Sequence, residues 1–283
     1  MTLRSTCGIV LKISAHGESD KLVTLYSNEL GRITGIAKGA KKSKQRFVNK
    51  LEEFSHLQIF YRLPRGLTGL LFISEAELLC AHLSIRKDYR RYVCAMYISE
   101  LMLRFTRDND PDPRLYALLK WAFASLDAND TPQKIAALYH LQLLATAGYR
   151  PELNRCCNCQ QPVGPDRTFI FLPGNGSLLC SSCHLWQGSP DFNRLSVQTL
   201  RFLANAQVAG LERLNRLQLS GQTAAEALES LYHYSFHLLQ QDIHSWQAMR
   251  SLNPTPLHKK TIVGQGTAWR TNASPQKDPW RKI

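Results

Sequence analysis

Gly8-Ile9-Val10-Leu11-Lys12-Ile13, Leu22-Val23-Thr24-Leu25-Tyr26 and Arg32-Ile33-Thr34-Gly35-Ile36-Ala37 are three short, largely apolar and β-branched runs, and the turn Asn28-Glu29-Leu30-Gly31 separates the second from the third. Side chains of this kind fit the pleated, half-buried surface of a strand, and the interposed residues favour chain reversal. Two more runs follow, Leu57-Gln58-Ile59-Phe60-Tyr61 and Leu70-Leu71-Phe72-Ile73, separated by Pro64-Arg65-Gly66. Five strands within residues 1–80 suit a small closed barrel, which removes sheet edges by wrapping.

A five-stranded oligonucleotide-binding (OB) barrel has this count and size, and an SH3-like barrel fits the count too. After Ser84 the period changes from two to about 3.6. Residues 85–105 place Tyr89, Val93, Met96, Ile98, Leu101 and Phe105 near helical spacing, until Asp108-Asn109-Asp110-Pro111-Asp112-Pro113 interrupts them. A second helix is predicted over 114–126. A third starts at the N-cap Thr131 with Pro132 behind it and stops at Gly148. Further helices are expected over 196–208 and 222–247. The tail 250–283 carries Pro254, Pro256, Pro275 and Pro279 with little to bury, and disorder is expected there. The organisation expected is α+β and multidomain: barrel 1–80, helices 81–150, a cysteine-bearing insert 151–190, helices 191–249, and the tail.

Composition narrows the function. The 283 residues are 44% hydrophobic and 20% charged, enough for true cores, and carry a formal charge of +13. Such an excess attracts polyanions: nucleic acid, an anionic membrane surface or an acidic partner. The start Met1-Thr2-Leu3-Arg4-Ser5-Thr6 lacks an apolar signal core, and no run approaches a membrane span, so a cytoplasmic protein is expected. Eight cysteines in a reducing compartment do not read as a disulfide framework.

Five of them crowd between 156 and 183, where Cys156, Cys159, Cys180 and Cys183 form two C-x-x-C pairs with 20 residues between them. Two intervening residues let the chain turn so that both thiolates face one ion. Two such knuckles make a closed tetrahedral Zn2+ site, structural rather than catalytic. Phe169-Ile170-Phe171 and Gly174-Asn175-Gly176 read as the strand and turn of a ribbon hairpin between them. A redox pair, Cys156 with Cys159, is the competing reading. Cys157 lies too close to Cys159 for a knuckle, and His184 is surplus to four thiolates. Cys7, Cys80 and Cys94 read as small buried hydrophobes.

Lys38, Lys41, Lys42, Lys44, Arg46 and Lys50 place six cations in 13 residues with no acid between them, and Arg32 lies just upstream. A flexible basic loop beside Phe47 and Phe54 has the composition of a phosphate track with stacking rings. A merely solvated loop is the alternative. On the first predicted helix, Arg86 with Arg90 and Lys87 with Arg91 share faces by i,i+4 spacing. That cluster would extend the track, receive an acidic peptide, or stand as an ordinary solvated face.

Catalytic look-alikes fail on their chemistry. Gly35-Ile36-Ala37-Lys38-Gly39-Ala40-Lys41-Lys42-Ser43 lacks the Gly-Lys-Ser/Thr of a P-loop. Asp108-x-Asp110-x-Asp112 has Pro113 where a calcium loop needs glycine. His233 and His237 lack the intervening Glu of a zinc-protease helix. No nucleophile–base pattern is visible, so the chain does not read as an enzyme.

The string Gly17-Glu18-Ser19-Asp20-Lys21-Leu22-Val23-Thr24-Leu25, then Glu29-Leu30-Gly31-Arg32-Ile33 and Ala37-Lys38-Gly39-Ala40-Lys41-Lys42-Ser43, resembles the N-terminal region of the RecO family of bacterial DNA repair proteins. The segment Gly148-Tyr149-Arg150-Pro151-Glu152-Leu153-Asn154-Arg155-Cys156 with the two knuckles resembles its middle region. The resemblance implies an OB barrel, a zinc-bearing helical domain and no catalytic activity. It implies a recombination mediator that binds single- and double-stranded DNA and anneals strands. The implied partners are RecR and the acidic tail of single-strand-binding protein (SSB), with RecA loading as the outcome. It assigns DNA contact to the loop after Gly39 and the metal to Cys156, Cys159, Cys180 and Cys183. It implies a nucleoid-associated place in the cytoplasm, and it gives Cys157 no role. An RNA- or ribosome-associated basic scaffold is the competing class.

Overall fold

The computed structural model describes residues 2–63, 70–128, 131–165, 167–183 and 194–252. The turn at Pro64-Arg65-Gly66, His184 and the tail from 253 lie outside the described residues, and with them the disorder expected of that tail.

Strands β1 (Arg4–His16), β2 (Asp20–Ser27), β3 (Gly31–Ala37), β4 (His56–Arg62) and β5 (Leu71–Cys80) close in the order β1-β2-β3-β5-β4, with β4 returning to β1. β3 and β5 pair in parallel and the other neighbours antiparallel. This is the OB strand order, which decides between the two barrels. Alternation places Val23, Leu25, Ile33, Ile59 and Ile73 inside. At Gly35 a β-carbon would come within 2.7 Å of the Ile73 side chain, so glycine lets β5 lie against β3 where the barrel closes.

Among the described residues eight helices follow: α1 (Leu83–Lys87), α2 (Tyr89–Phe105), α3 (Pro113–Asp127), α4 (Pro132–Thr146), α5 (Val197–Val208), α6 (Leu211–Leu214), α7 (Gly221–Leu239) and α8 (Trp246–Ser251). Strands β6 (Phe169–Leu172), β7 (Ser177–Cys180) and β8 (Arg194–Leu195) form a small second sheet. Helix α4 is buried almost all round, from Ile135 through Leu144, and serves as the axis of the bundle.

Two predicted helices are each broken. The helix expected over 85–105 divides at Asp88, whose extended backbone and carboxylate cap α2 by accepting from the Arg91 N–H at 3.0 Å. The helix expected over 222–247 stops at Gln240, in a left-handed conformation with φ 52°. Glu100 on α2 accepts from the N–H groups of His244 and Ser245 and from the Ser245 hydroxyl, so a distant carboxylate holds the turn.

Barrel and helices are sewn together. Ile9, Leu11, Tyr26 and Phe54 of the barrel region belong to the helical core, and the Phe54 ring meets Tyr92 and Phe123 edge-on at 5.4 and 5.6 Å. Beside them the β2–β3 turn is clasped by the loop between α2 and α3. Arg32 pairs with Asp108 at 2.5 Å and donates to the Leu103 carbonyl, while the Asn109 N–H returns a bond to the Arg32 carbonyl at 2.9 Å. Gly31, with φ 68°, lies against the Asp110 backbone, where any β-carbon would collide.

His140 on α4 is fully buried between the Tyr97 hydroxyl, 3.0 Å from Nδ1, and the Ser235 hydroxyl, 2.6 Å from Nε2. Burial pushes its pKa down to about 3, and burial also pushes that of His56 down to about 4. Both rings are neutral in the native chain, whereas an unfolded histidine takes a proton below its ordinary value of 6.5. Stability is therefore full above that value and falls with acidification, by at most about 1.4 kcal/mol per pH unit for each ring. Urea unfolding between pH 7.5 and 4.5 is expected to show this fall, and His140→Gln to flatten part of it. An unchanged acid slope in that variant would contradict the assignment.

Candidate nucleic-acid interface and cysteine cluster

The loop from Lys38 to Lys50 is built rather than floppy. Gly39, with φ 67°, turns the chain out of β3, and its N–H donates to Asp20 Oδ1 at 2.8 Å. That bond, with one from the Ser19 hydroxyl, holds the Asp20 carboxyl below the usual carboxylate range. A 3-10 turn, Ala40–Lys42, follows, and the Lys41 N–H reaches the Ser19 carbonyl at 2.9 Å. The Phe47 N–H donates to Ser43 Oγ. Ala40, Phe47 and Leu51 insert into the barrel core as an apolar underside.

On the outer side Lys38, Lys41, Lys42, Lys44 and Arg46 are exposed and Lys50 is partly so. Lys41 Nζ reaches the Gly17 carbonyl at 2.9 Å, and the Arg46 guanidinium lies 5.2 Å from the Phe47 ring centre. The expected flexible loop with stacking rings is thus corrected. Phe47 is 3% exposed and Phe54 fully buried, so neither ring can meet a base. Their side chains stabilise more by leaving water, about 1.5–3 kcal/mol each, than they would half-exposed.

The other basic residues divide. Arg32 is committed to Asp108 and Leu103 in the clasp. Arg86 donates to the Glu53 carbonyl at 2.8 Å and to Ser55 Oγ at 2.6 Å, and Arg91 donates to the Asp127 carbonyl at 3.2 Å. Lys87 and Arg90 are exposed. The i,i+4 faces read from sequence do not form, because the helix breaks at Asp88 between the members of each pair.

Cys156, Cys159, Cys180 and Cys183 present four sulfurs that all lie within 4.8 Å of one another. A tetrahedral ion with metal–sulfur bonds of about 2.3 Å needs sulfurs roughly 3.8 Å apart, and the Cys159–Cys180 separation is 3.6 Å. The Cys180 N–H donates to Cys156 Sγ at 3.4 Å, the support a knuckle gives its thiolate. Although burial raises the Cys156 thiol, N–H groups of Cys180, Cys159 and Asn158 outweigh it and bring the pKa to about 6. Hydrogen bonding to Cys159 and Cys180 pushes Cys183 the other way, to about 12. Ionised together, four sulfurs this close would need a cation among them, and the donor set fits one soft divalent ion. Cys157 is exposed and lies outside the four-sulfur cluster, in line with Cys156 being the better-spaced partner of Cys159. Of the remaining thiols Cys94 is buried, whereas Cys7 and Cys80 are partly exposed, which corrects the expectation for those two.

The cysteine hairpin does not stand apart as a knob. In β6–β7, Phe169 pairs with Cys180 and Leu172 with Ser177, and β8 covers the other edge of β6. Phe169, Phe171 and Leu178 join the helical core, with the Phe171 ring 5.9 Å from Tyr234 and perpendicular to it.

Two family descriptions match this chain, one over the barrel and one over the helical body with its cysteine hairpin. Recombination protein O N terminal matches residues 1–81, and Recombination protein O C terminal matches residues 86–247. The chain belongs to the RecO family. It is 31% identical over 245 residues to the DNA repair protein RecO of Syntrophus aciditrophicus, covering 86% of this chain and 94% of that one. RecO from Anaeromyxobacter sp. (strain Fw109-5) is 34% identical over 204 residues, covering 72% and 79%. RecO from Desulfitobacterium hafniense is 30% identical over 271 residues, covering 95% and 94%. The gap between the two RecO matches, 82–85, falls where β5 gives way to α1. Among the described residues no helix is long and apolar enough to cross a membrane.

Proposed function

We propose that this RecO-family chain is a non-enzymatic DNA repair protein that binds single-stranded DNA through Lys38, Lys41, Lys42, Lys44, Arg46 and Lys50. In this reading it also engages duplex DNA and anneals complementary strands. With RecR, and by recognising the acidic SSB tail, it helps RecA replace SSB, in the nucleoid. One observation carries the reading: the loop buries Ala40 and Phe47 in the barrel core and turns its cations outward with no acid among them. Such a surface neutralises backbones without reading bases, which annealing of arbitrary sequence requires.

Six phosphate contacts on a single strand give a slope of log affinity on log salt of roughly −4. Reversing Lys41, Lys42 and Lys44 to Glu removes three and is expected to bring the slope to about −2 or shallower and to weaken binding at low salt. Anisotropy titration of a labelled oligothymidine from 50 to 300 mM salt (about the range over which such contacts are felt) checks this. An unchanged slope defeats the loop assignment, and a strong preference for structured RNA favours the scaffold reading instead.

The cysteines are proposed to hold one structural Zn2+, which would fasten the hairpin without doing chemistry of its own. Because the hairpin shares the helical core, loss of the ion propagates into the bundle. Metal analysis is expected to find about one zinc per chain, and Cys180→Ser to lower both zinc content and the melting temperature. Protein free of zinc that melts identically with and without chelator would rule the ion out and leave the dithiol reading.

A further inference from the structure

With Phe47 and Phe54 buried, the track described above has cations but no ring on which a base can rest. The outer face of the barrel supplies one. Leu22 on β2 pairs with Ile36 on β3, and Ile36 with Phe72 on β5, so three apolar side chains lie in one row across three adjacent strands. Their inward neighbours Val23, Ala37 and Ile73 are buried, which turns this row outward. All three are partly exposed, and none belongs to or packs against either apolar core among the described residues. Next to the row this face turns polar at Thr24 and Thr34, whose hydroxyls bond each other at 3.0 Å. A lone outward leucine needs no explanation, but a row of three in register on strands about 4.8 Å apart is a built strip roughly 10 Å long.

Its surroundings are cationic. Arg62, exposed, stands directly opposite Phe72 on β4. Lys38, exposed, follows Ile36 by two residues at the end of β3. Arg46 donates to the Ser74 carbonyl, which brings the basic loop onto β5 two residues beyond Phe72. Asp20, two residues before Leu22 on β2, is occupied by the Gly39 N–H and the Ser19 hydroxyl. An aromatic ring on an apolar floor, beside outward cations on the β2–β3 face, is how an OB barrel combines phosphate neutralisation with base stacking.

We propose that Phe72, seated beside Leu22 and Ile36, is the base-stacking platform of the single-strand site whose phosphate track is the 38–50 loop. This rests on the DNA-binding reading above and adds the contact that distinguishes a single strand from a duplex, whose bases are already stacked.

The test compares an oligothymidine with an abasic strand of equal length and charge, at one salt concentration. The native chain is expected to prefer the thymidine strand by about 5- to 100-fold, the range one stacked base supplies. Phe72→Ala is expected to erase that preference while keeping abasic affinity and salt slope. Phe72→Trp is expected to keep it and to show tryptophan quenching with thymidine but not with the abasic strand. A Phe72→Ala chain that retains the preference overturns the platform, as does one that loses affinity equally for both strands. If the native chain binds neither strand, the DNA-binding reading itself falls, and the platform with it.

Discussion

Barrel and helices are held in one piece by the seam where Tyr26, Gly31, Arg32 and Phe54 meet the helical body. Magnitudes show which part of the seam matters. The Arg32–Asp108 pair has its acid mostly exposed, and such pairs contribute about 0–1 kcal/mol. Burial of Tyr26 and Phe54 in the helical core contributes about 1.5–3 kcal/mol for each ring. The ion pair and the glycine contact therefore set the register of the seam, while the rings hold it shut. A consequence follows for charge. One cation that would otherwise extend the face of the 38–50 loop is neutralised at the seam.

The same division, apolar side down and charged side out, recurs at each site. In the 38–50 loop, Ala40, Phe47 and Leu51 anchor what the lysines display. In the cysteine hairpin, Phe169 and Phe171 bind the sheet to the bundle while Cys159 is exposed on its outer side. In the proposed DNA-binding role, anchoring would limit the entropy lost on binding, because the loop's backbone is already hydrogen-bonded. Side chains of lysine remain free to exchange partners, which suits brief contacts with strands that must find each other.

Much of this was legible in the sequence because it is local. Strand alternation marked all five barrel strands, Thr131-Pro132 marked the start of α4, and C-x-x-C spacing selected Cys156 over Cys157. What could not be read depends on partners far along the chain. Nothing near Arg32 announces Asp108, and nothing near Phe54 announces Phe123. Glu100 breaks the α7 helix pattern from over 130 residues away, through hydrogen bonds to His244 and Ser245. Aromatic residues beside a basic run were read as stacking rings, whereas their actual burial follows from barrel closure. The outward row at Leu22, Ile36 and Phe72 needed strand register, which sequence alone does not supply.

Annealing of two complementary oligonucleotides is the most direct measure of the central claim, that an outward basic loop on an OB barrel does this protein's work without catalysis. The purified chain, followed by fluorescence transfer between labelled strands, should accelerate duplex formation without nucleotide or added divalent metal, with a rate that falls steeply as salt rises. No acceleration over the spontaneous rate, or acceleration only when ATP is hydrolysed, would contradict it.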